Sequence, residues 1–131
     1  MASFDVNMPD DFLEKYNFTE EEIVETVSEL SPILEDSMKR NLRSVISHTG
    51  DSSLVDSVKI SKPKKTKTDA ILSWVGPAGK DKSGTRNVEK AIYLNYGTRH
   101  QPARPWLAKA INDAEELIQD RIQEKLEKRY E

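Results

Sequence analysis

Tyr93-Leu94-Asn95-Tyr96-Gly97-Thr98-Arg99-His100-Gln101-Pro102-Ala103-Arg104-Pro105-Trp106-Leu107 is the stretch on which the fold turns. It holds an aromatic-rich segment end, a glycine stop, a basic connector and a proline helix start. Gly97 can take positive φ at little cost, which suits the residue just past a helix or strand end. Pro102 and Pro105 fix φ and push Gln101 and Arg104 toward extended geometry. Pro105 also suits the first position of a new helix, where its missing N–H costs nothing. Arg99, His100 and Arg104 therefore sit on a short, stiffened and exposed connector. Two uses stay open for it: a plain loop between packed elements, or a rigid basic contact surface.

Beyond the connector, the spacing predicts a helix over about 105–128. Leu107, Ala110, Ile111, Ala114, Leu117, Ile118 and Ile122 form its apolar stripe. Glu124 and Lys128 make a favourable i,i+4 pair near its end. Before the connector, residues 87–96 fit a short helix through Val88, Ala91, Ile92 and Tyr96; a strand from Ala91 is the alternative. Residues 76–86, Gly76-Pro77-Ala78-Gly79-Lys80-Asp81-Lys82-Ser83-Gly84-Thr85-Arg86, have the composition of a long flexible loop. Its Gly79-Lys80 pair lacks the Gly-x-x-x-x-Gly-Lys-Ser/Thr spacing of a phosphate loop.

Farther back, Val58-Lys59-Ile60-Ser61-Lys62 alternates apolar and polar residues, the pattern of a half-buried strand that Pro63 confines to an edge or ends. Lys62, Lys64, Lys65 and Lys67 then form a basic hairpin tip. Ala70 to Val75 is the returning strand, with Ile71 and Val75 on one face and Leu72 and Trp74 on the other. The second face calls for a further cover or a partner subunit. Leu54 to Ser57 suits a short turn.

Thr19-Glu20-Glu21-Glu22 carries the capping-box pattern and predicts a helix start, with the three glutamates at the positive end of the helix dipole. Ile23, Val24, Val27 and Leu30 make its stripe, continued by Leu34, Met38, Leu42, Val45 and Ile46 to about Ser47. Ser31-Pro32 interrupts it and predicts a kink or a restart, Ser31 serving as cap and Pro32 as first residue. Gly50 is a plausible stop. Residues 1–18 read as an N-terminal tail: Pro9 and the acids argue for looseness, while Phe12, Leu13, Tyr16 and Phe18 suffice to dock a short segment. Residues 19–131 make one domain.

The net charge of -3 over 131 residues conceals segregation. Residues 1–36 carry eleven acids and one base, whereas residues 58–109 carry twelve bases and three acids. Such a distribution favours oriented association with a complementary surface, a second copy included, although a solvated face is the plainer account. Cysteine is absent, which excludes disulfides and thiolate chemistry. No apolar run is long enough to span a bilayer. The acidic N-terminus lacks the basic-then-apolar pattern of a secretion signal.

Tyr96-Gly97-Thr98 followed by Pro102-Ala103-Arg104-Pro105-Trp106-Leu107 resembles, in order and spacing, the signature of tailed-bacteriophage minor structural, neck or tail-completion (head–tail joining) proteins. The resemblance spans roughly residues 19 to 120. Asn95 departs from it, since the family often carries Glu there. It implies a non-enzymatic virion protein without cofactor, made in the host bacterial cytoplasm and assembled into the neck or tail. Copies would join head-to-tail as a ring and dock onto portal-side connector, tail-terminator or tail-tube proteins, with passing contact to DNA.

Catalytic chemistry is thin. His48 and His100 lie far apart without acids or cysteines at metal-ligand spacing. No nucleophile-elbow pattern supports a hydrolase. The candidate contact residues are Lys64, Lys65, Lys67, Arg99, His100 and Arg104, supported by the structural motif Tyr96, Gly97, Thr98, Pro102, Pro105 and Trp106. For Arg104 a buttress at the helix start is the simpler role; the lysines serve either contact or solubility. The expected fold is α+β, a long N-terminal helical region kinked near Pro32 and a C-terminal helix packed on a small antiparallel sheet. A nucleic-acid-binding module using the basic segment 58–109 is the alternative function.

Overall fold

Thr19 opens the first helix as its neighbours dictate. Its hydroxyl accepts from the Glu22 N–H at 3.1 Å, and the Glu22 carboxylate accepts from the Thr19 N–H at 3.4 Å, so two otherwise orphaned donors are satisfied reciprocally. The computed structural model describes residues 19–46 and 53–129. The expected tail 1–18, the helix end near Ser47, His48 and the Gly50 stop lie outside the described residues. In order, the elements are α1 (Glu20–Val45), α2 (Ser53–Asp56), β1 (Val58–Ile60), β2 (Lys64–Lys65), β3 (Ile71–Leu72), β4 (Val75–Pro77), α3 (Asn87–Tyr96) and α4 (Leu107–Arg129). The α+β class and the antiparallel pairing match the expectation.

Helix α1 runs unbroken through Pro32, so the expected restart does not occur. Ser31 is no cap: its buried hydroxyl donates to the Val27 carbonyl at 2.7 Å, inside the helix. Packing explains the continuity. Leu30, Leu34, Met38 and Leu42 on both sides of the proline are each at most 3% exposed, and burying that stripe outweighs one lost backbone bond.

Helix α4 lies antiparallel along α1. The Lys125 ammonium reaches Glu29 at 2.9 Å and the Thr26 hydroxyl at 3.1 Å, whereas Ser37 donates to the Ala110 carbonyl at 2.7 Å. Ser37, Ala110 and Ala114 are fully buried, and their small size lets the two backbones approach. Trp106, Leu107 and Ile118 complete this face, and Leu54, Val55, Val58, Val75 and Ala91 close the core from the other side.

The strands form one long hairpin with an irregularity. Val58, Lys59 and Ile60 pair with Pro77, Gly76 and Val75; Lys64 and Lys65 pair with Leu72 and Ile71. Residues 61–63 thus stand opposite only 73–74, a bulge of one extra residue. Ser61 closes it: its N–H donates to the Trp74 carbonyl at 2.7 Å, its hydroxyl oxygen accepts from the Trp74 N–H at 2.6 Å, and its carbonyl accepts from the Ser73 hydroxyl at 2.7 Å. Pro63 falls inside the bulge, where it has no ladder bond to lose. The expected single strand 70–75 is therefore split in two. The outer arm packs Ile71 onto Ile23 and Val27 of α1, a small core beside the main one.

Close helix packing makes Ala110 intolerant of volume. Ala110→Leu should lower unfolding free energy by about 1–3 kcal/mol in urea titrations, whereas Ala108→Leu, on the exposed face of the same helix, should change it by less than about 0.5 kcal/mol.

Candidate functional site

Helix α3 settles the open alternative for residues 87–96 in favour of helix, and it ends where Gly97 adopts φ 79°. The Gly97 N–H donates to the Tyr93 carbonyl at 2.8 Å. A Cβ at residue 97 would lie 2.7 Å from the Ala103 nitrogen and 3.1 Å from the Gln101 carbonyl oxygen. Glycine is thus required twice, by conformation and by the returning backbone.

Between these contacts the chain makes a tight turn. Thr98 and Gln101 exchange backbone hydrogen bonds of 2.8 and 3.3 Å, and the Thr98 hydroxyl accepts from the His100 N–H at 3.3 Å. Arg99 and His100 form the exposed tip. The Arg104 N–H then ties the chain back to the Leu94 carbonyl at 2.7 Å. Its guanidinium donates to the Val45 carbonyl at 3.1 Å, a cation on the negative end of α1. Arg104 therefore buttresses a helix end, at the C-terminus of α1 instead of the start of the last helix.

Asn95 completes the construction. Its side-chain oxygen accepts from the N–H groups of both Trp106 and Leu107 at 3.1 Å, so α4 is capped by a residue of a different helix. The first intrahelical bond runs from the Ala110 N–H to the Trp106 carbonyl, which leaves Pro105 outside the helix that it was expected to begin. The Trp106 indole is buried and donates to the Ala91 carbonyl at 3.0 Å. The cap position needs an acceptor and has one in the Asn95 side chain.

This frame presents Tyr96, 71% exposed, and Tyr93, 49% exposed, beside the exposed Arg99, His100 and Pro102. The hairpin lysines are elsewhere. Lys65 lies 3.4 Å from Glu20 and 3.6 Å from Asp69, and Glu20 chiefly holds its ammonium above the ordinary lysine value. Lys64 and Lys67 are exposed. The tip therefore sits by the first turn of α1 and the Arg104 connector by its last. At 1.5 Å per residue these ends are about 37 Å apart. The basic segment 58–109 thus divides into two separated surfaces.

The stretch 76–86, expected to be a flexible loop, instead starts within β4, where Gly76 and Pro77 pair with Lys59 and Val58, and its remainder is organised around Asp81. One carboxylate oxygen accepts from the Ser83 N–H at 2.9 Å, the Ser83 hydroxyl at 2.7 Å and the Thr85 N–H at 2.9 Å; the other meets Lys90 at 2.9 Å. The Ser83 hydroxyl foremost, then Lys90, holds this carboxyl well below the usual carboxylate range. An Asp-Lys-Ser-Gly turn pattern carried that signal in the sequence. Among the described residues, no group of three or more His, Cys, Asp or Glu is placed to hold a metal ion.

The face of the returning strand that the sequence left uncovered forms a second feature, whose basic rim the sequence did not reveal. Leu72 and Trp74 line an open groove of about 790 Å³ whose walls include Lys62, Lys64, Arg86 and Val88. Comparison of the chain with protein-family models, with curated proteins and with solved structures found no match in any of the three.

Gly97→Ala should destabilise by about 1–3 kcal/mol from backbone conformation alone, with the clash adding to it, and Asn95→Ala by about 1 kcal/mol as for a lost cap; chemical denaturation checks both. For Asp81 the sign follows from its depressed value. Its contribution is fully present above the ordinary 3.8 and is lost only as pH falls through the lower folded value. Hydrogen exchange at the Ser83 and Thr85 amides should therefore stay slow, after correction for intrinsic rates, from about pH 7 to about pH 4. Asp81→Ala should remove that protection throughout.

Proposed function

We propose that this protein is a structural component of the head–tail junction of a tailed phage or prophage, acting by docking and ring assembly. The observation that carries the proposal is the connector: exposed Tyr93 and Tyr96 stand beside an exposed basic turn whose backbone is tied down at Gly97, Thr98 and Arg104. A rigid aromatic and basic surface binds with little ordering cost. The resemblance of Tyr96-Gly97-Thr98 and Pro102-Ala103-Arg104-Pro105-Trp106-Leu107 to neck and tail-completion proteins supplies the kind of partner.

Two separated contact surfaces suit head-to-tail joining of copies, because a heterologous interface needs different patches on each subunit. The connector serves as one, at the C-terminal end of α1. The hairpin tip serves as the other, with Lys64 and Lys67 facing outward beside the acidic first turn of α1. Under this reading the neighbours are portal-side connector, tail-terminator or tail-tube proteins. Joining takes place in the host cytoplasm and the product resides in the virion neck or tail.

The test separates folding from docking. Lys65 is left intact because it pairs with Glu20. Lys64→Glu/Lys67→Glu should leave unfolding free energy within about 0.5 kcal/mol of wild type, yet cut the yield of joined particles in a head–tail complementation assay roughly tenfold. Normal joining by the double variant would remove the hairpin from the contact. Tight oligonucleotide binding by the full chain, falling steeply with salt, would favour the nucleic-acid reading instead.

A further inference from the structure

Among the described residues the exposed large apolar side chains are Leu72, Tyr93, Tyr96 and Leu117. The tyrosines belong to the connector, which leaves the two leucines without a role. Leu72 lies in the open groove of the hairpin, whose other apolar walls include Trp74, Pro77 and Val88. Lys62 and Arg86 stand exposed on its rim. Lys62 has no ion pair among the described residues, and Arg86 has only Glu89 at 3.8 Å. An occupant that fits must bring an apolar side chain flanked by carboxylates.

Leu117 is such a side chain. Asp113, Glu116, Asp120 and Glu124 lie four, one, three and seven positions from it on the same outward face of α4, and all are exposed. No lysine or arginine interrupts residues 110–120. Glu116 and Asp120 have no ion pair among the described residues, Asp113 accepts from Asn41 at 3.4 Å, and Glu124 meets Arg121 at 3.9 Å. The other acidic surface, the first turn of α1, has no exposed large apolar residue, and its Glu20 is engaged by Lys65. Ala110, Ala114 and Ile118 hold α4 against the core, so its outward face does not reach the groove of its own chain. A second copy must supply it.

We infer that the groove receives the outward face of α4 from a second copy of this chain, with Leu117 entering against Leu72 and Trp74 while Glu116 and Asp120 meet Lys62 and Arg86. Each copy offers one groove and one acidic face, so the contact is heterologous and adds copies head-to-tail. The inference rests on the ring-assembly reading and deepens it by naming what the hairpin side meets. Residues 97–112 hold Arg99, Arg104 and Lys109 and no acid, so the connector alone would set like charge against the basic hairpin. Helix α4 carries the missing carboxylates onward from the connector. Lys64, which lines the same groove, belongs to this one contact.

The chain has no cysteine, so a disulfide can report the contact. Purified full-length Leu72→Cys and Leu117→Cys chains, both altered at exposed positions, are mixed in equal amounts and oxidised with copper phenanthroline. The mixed disulfide should exceed either homotypic one by roughly fivefold. Lys62→Glu/Arg86→Glu in the first chain, or Glu116→Lys/Asp120→Lys in the second, should cut its yield roughly tenfold, and pairing the two altered chains should restore it to within about twofold. A mixed yield no higher than the homotypic ones would overturn the inference. An excess of the Leu117→Cys homodimer would overturn it in favour of a symmetric contact between α4 helices. Shielding of Leu72→Cys from alkylation by a single-stranded oligonucleotide, without the mixed disulfide, would overturn it in favour of nucleic acid. The readout needs no phage: the mixed disulfide beside normal joining by Lys64→Glu/Lys67→Glu upholds the contact and removes its part in head–tail joining. Blocked joining without the disulfide overturns this contact and leaves the head–tail reading in place.

Discussion

Residue 97 sits so close to the backbone of Ala103 that no side chain fits between them, and much of the molecule follows from that approach. A glycine with φ 79° turns the chain out of α3, and the return past it brings Arg104 against Leu94 and Val45. Asn95, two residues before the glycine, then reaches the first amides of α4. Three helices are thereby fixed relative to one another through polar contacts of a few residues. The Trp106 indole, buried and bonded to Ala91, locks the same corner from the apolar side. The exposed tyrosines and the basic turn inherit their rigidity from this corner.

The long α1–α4 pair gives the molecule its length and separates its charges. Glu29 and Thr26 hold Lys125 at one end, and Ser37 meets Ala110 near the other. Since the helices are long and antiparallel, features attached to opposite ends of α1 stay far apart whatever their distance in sequence. That is why twelve bases in residues 58–109 do not form one patch. Some are exposed at the hairpin tip and some at the connector, while Lys65, Lys90 and Arg104 are engaged in contacts within the chain. A count of charges along the chain overstates the surface available to any single partner.

The hairpin shows how a local irregularity makes a surface. Its extra residue lets Ser61 bond to Trp74 through backbone and side chain, which separates the inner pairing at Val75 from the outer one at Ile71. Ile71 turns to α1 while Leu72 and Trp74 face the groove. The alternation that marked both faces of this strand as apolar was legible; the bulge that divides it was not, because pairing register depends on the partner strand.

The sequence by itself determined the helix start at Thr19, the apolar stripes of α1 and α4, the basic hairpin tip, the glycine stop at 97 and the α+β class. Each of these is a local matter of capping chemistry, periodicity or backbone freedom, written within a few residues. Tertiary structure alone decided that α1 continues through Pro32, that Asn95 caps a helix eleven residues onward, that Arg104 closes the far end of α1, and that Asp81 gathers a loop rich in glycine and lysine. In the first three cases the deciding partner lies in another element. Continuity through a proline depends on how much surface the stripe buries on α4 and the hairpin, and a cap depends on which acceptor the fold brings within 3.1 Å. Local preference proposes an arrangement, and contacts between distant residues choose among the proposals because their burial and hydrogen bonding exceed the cost of one broken local rule.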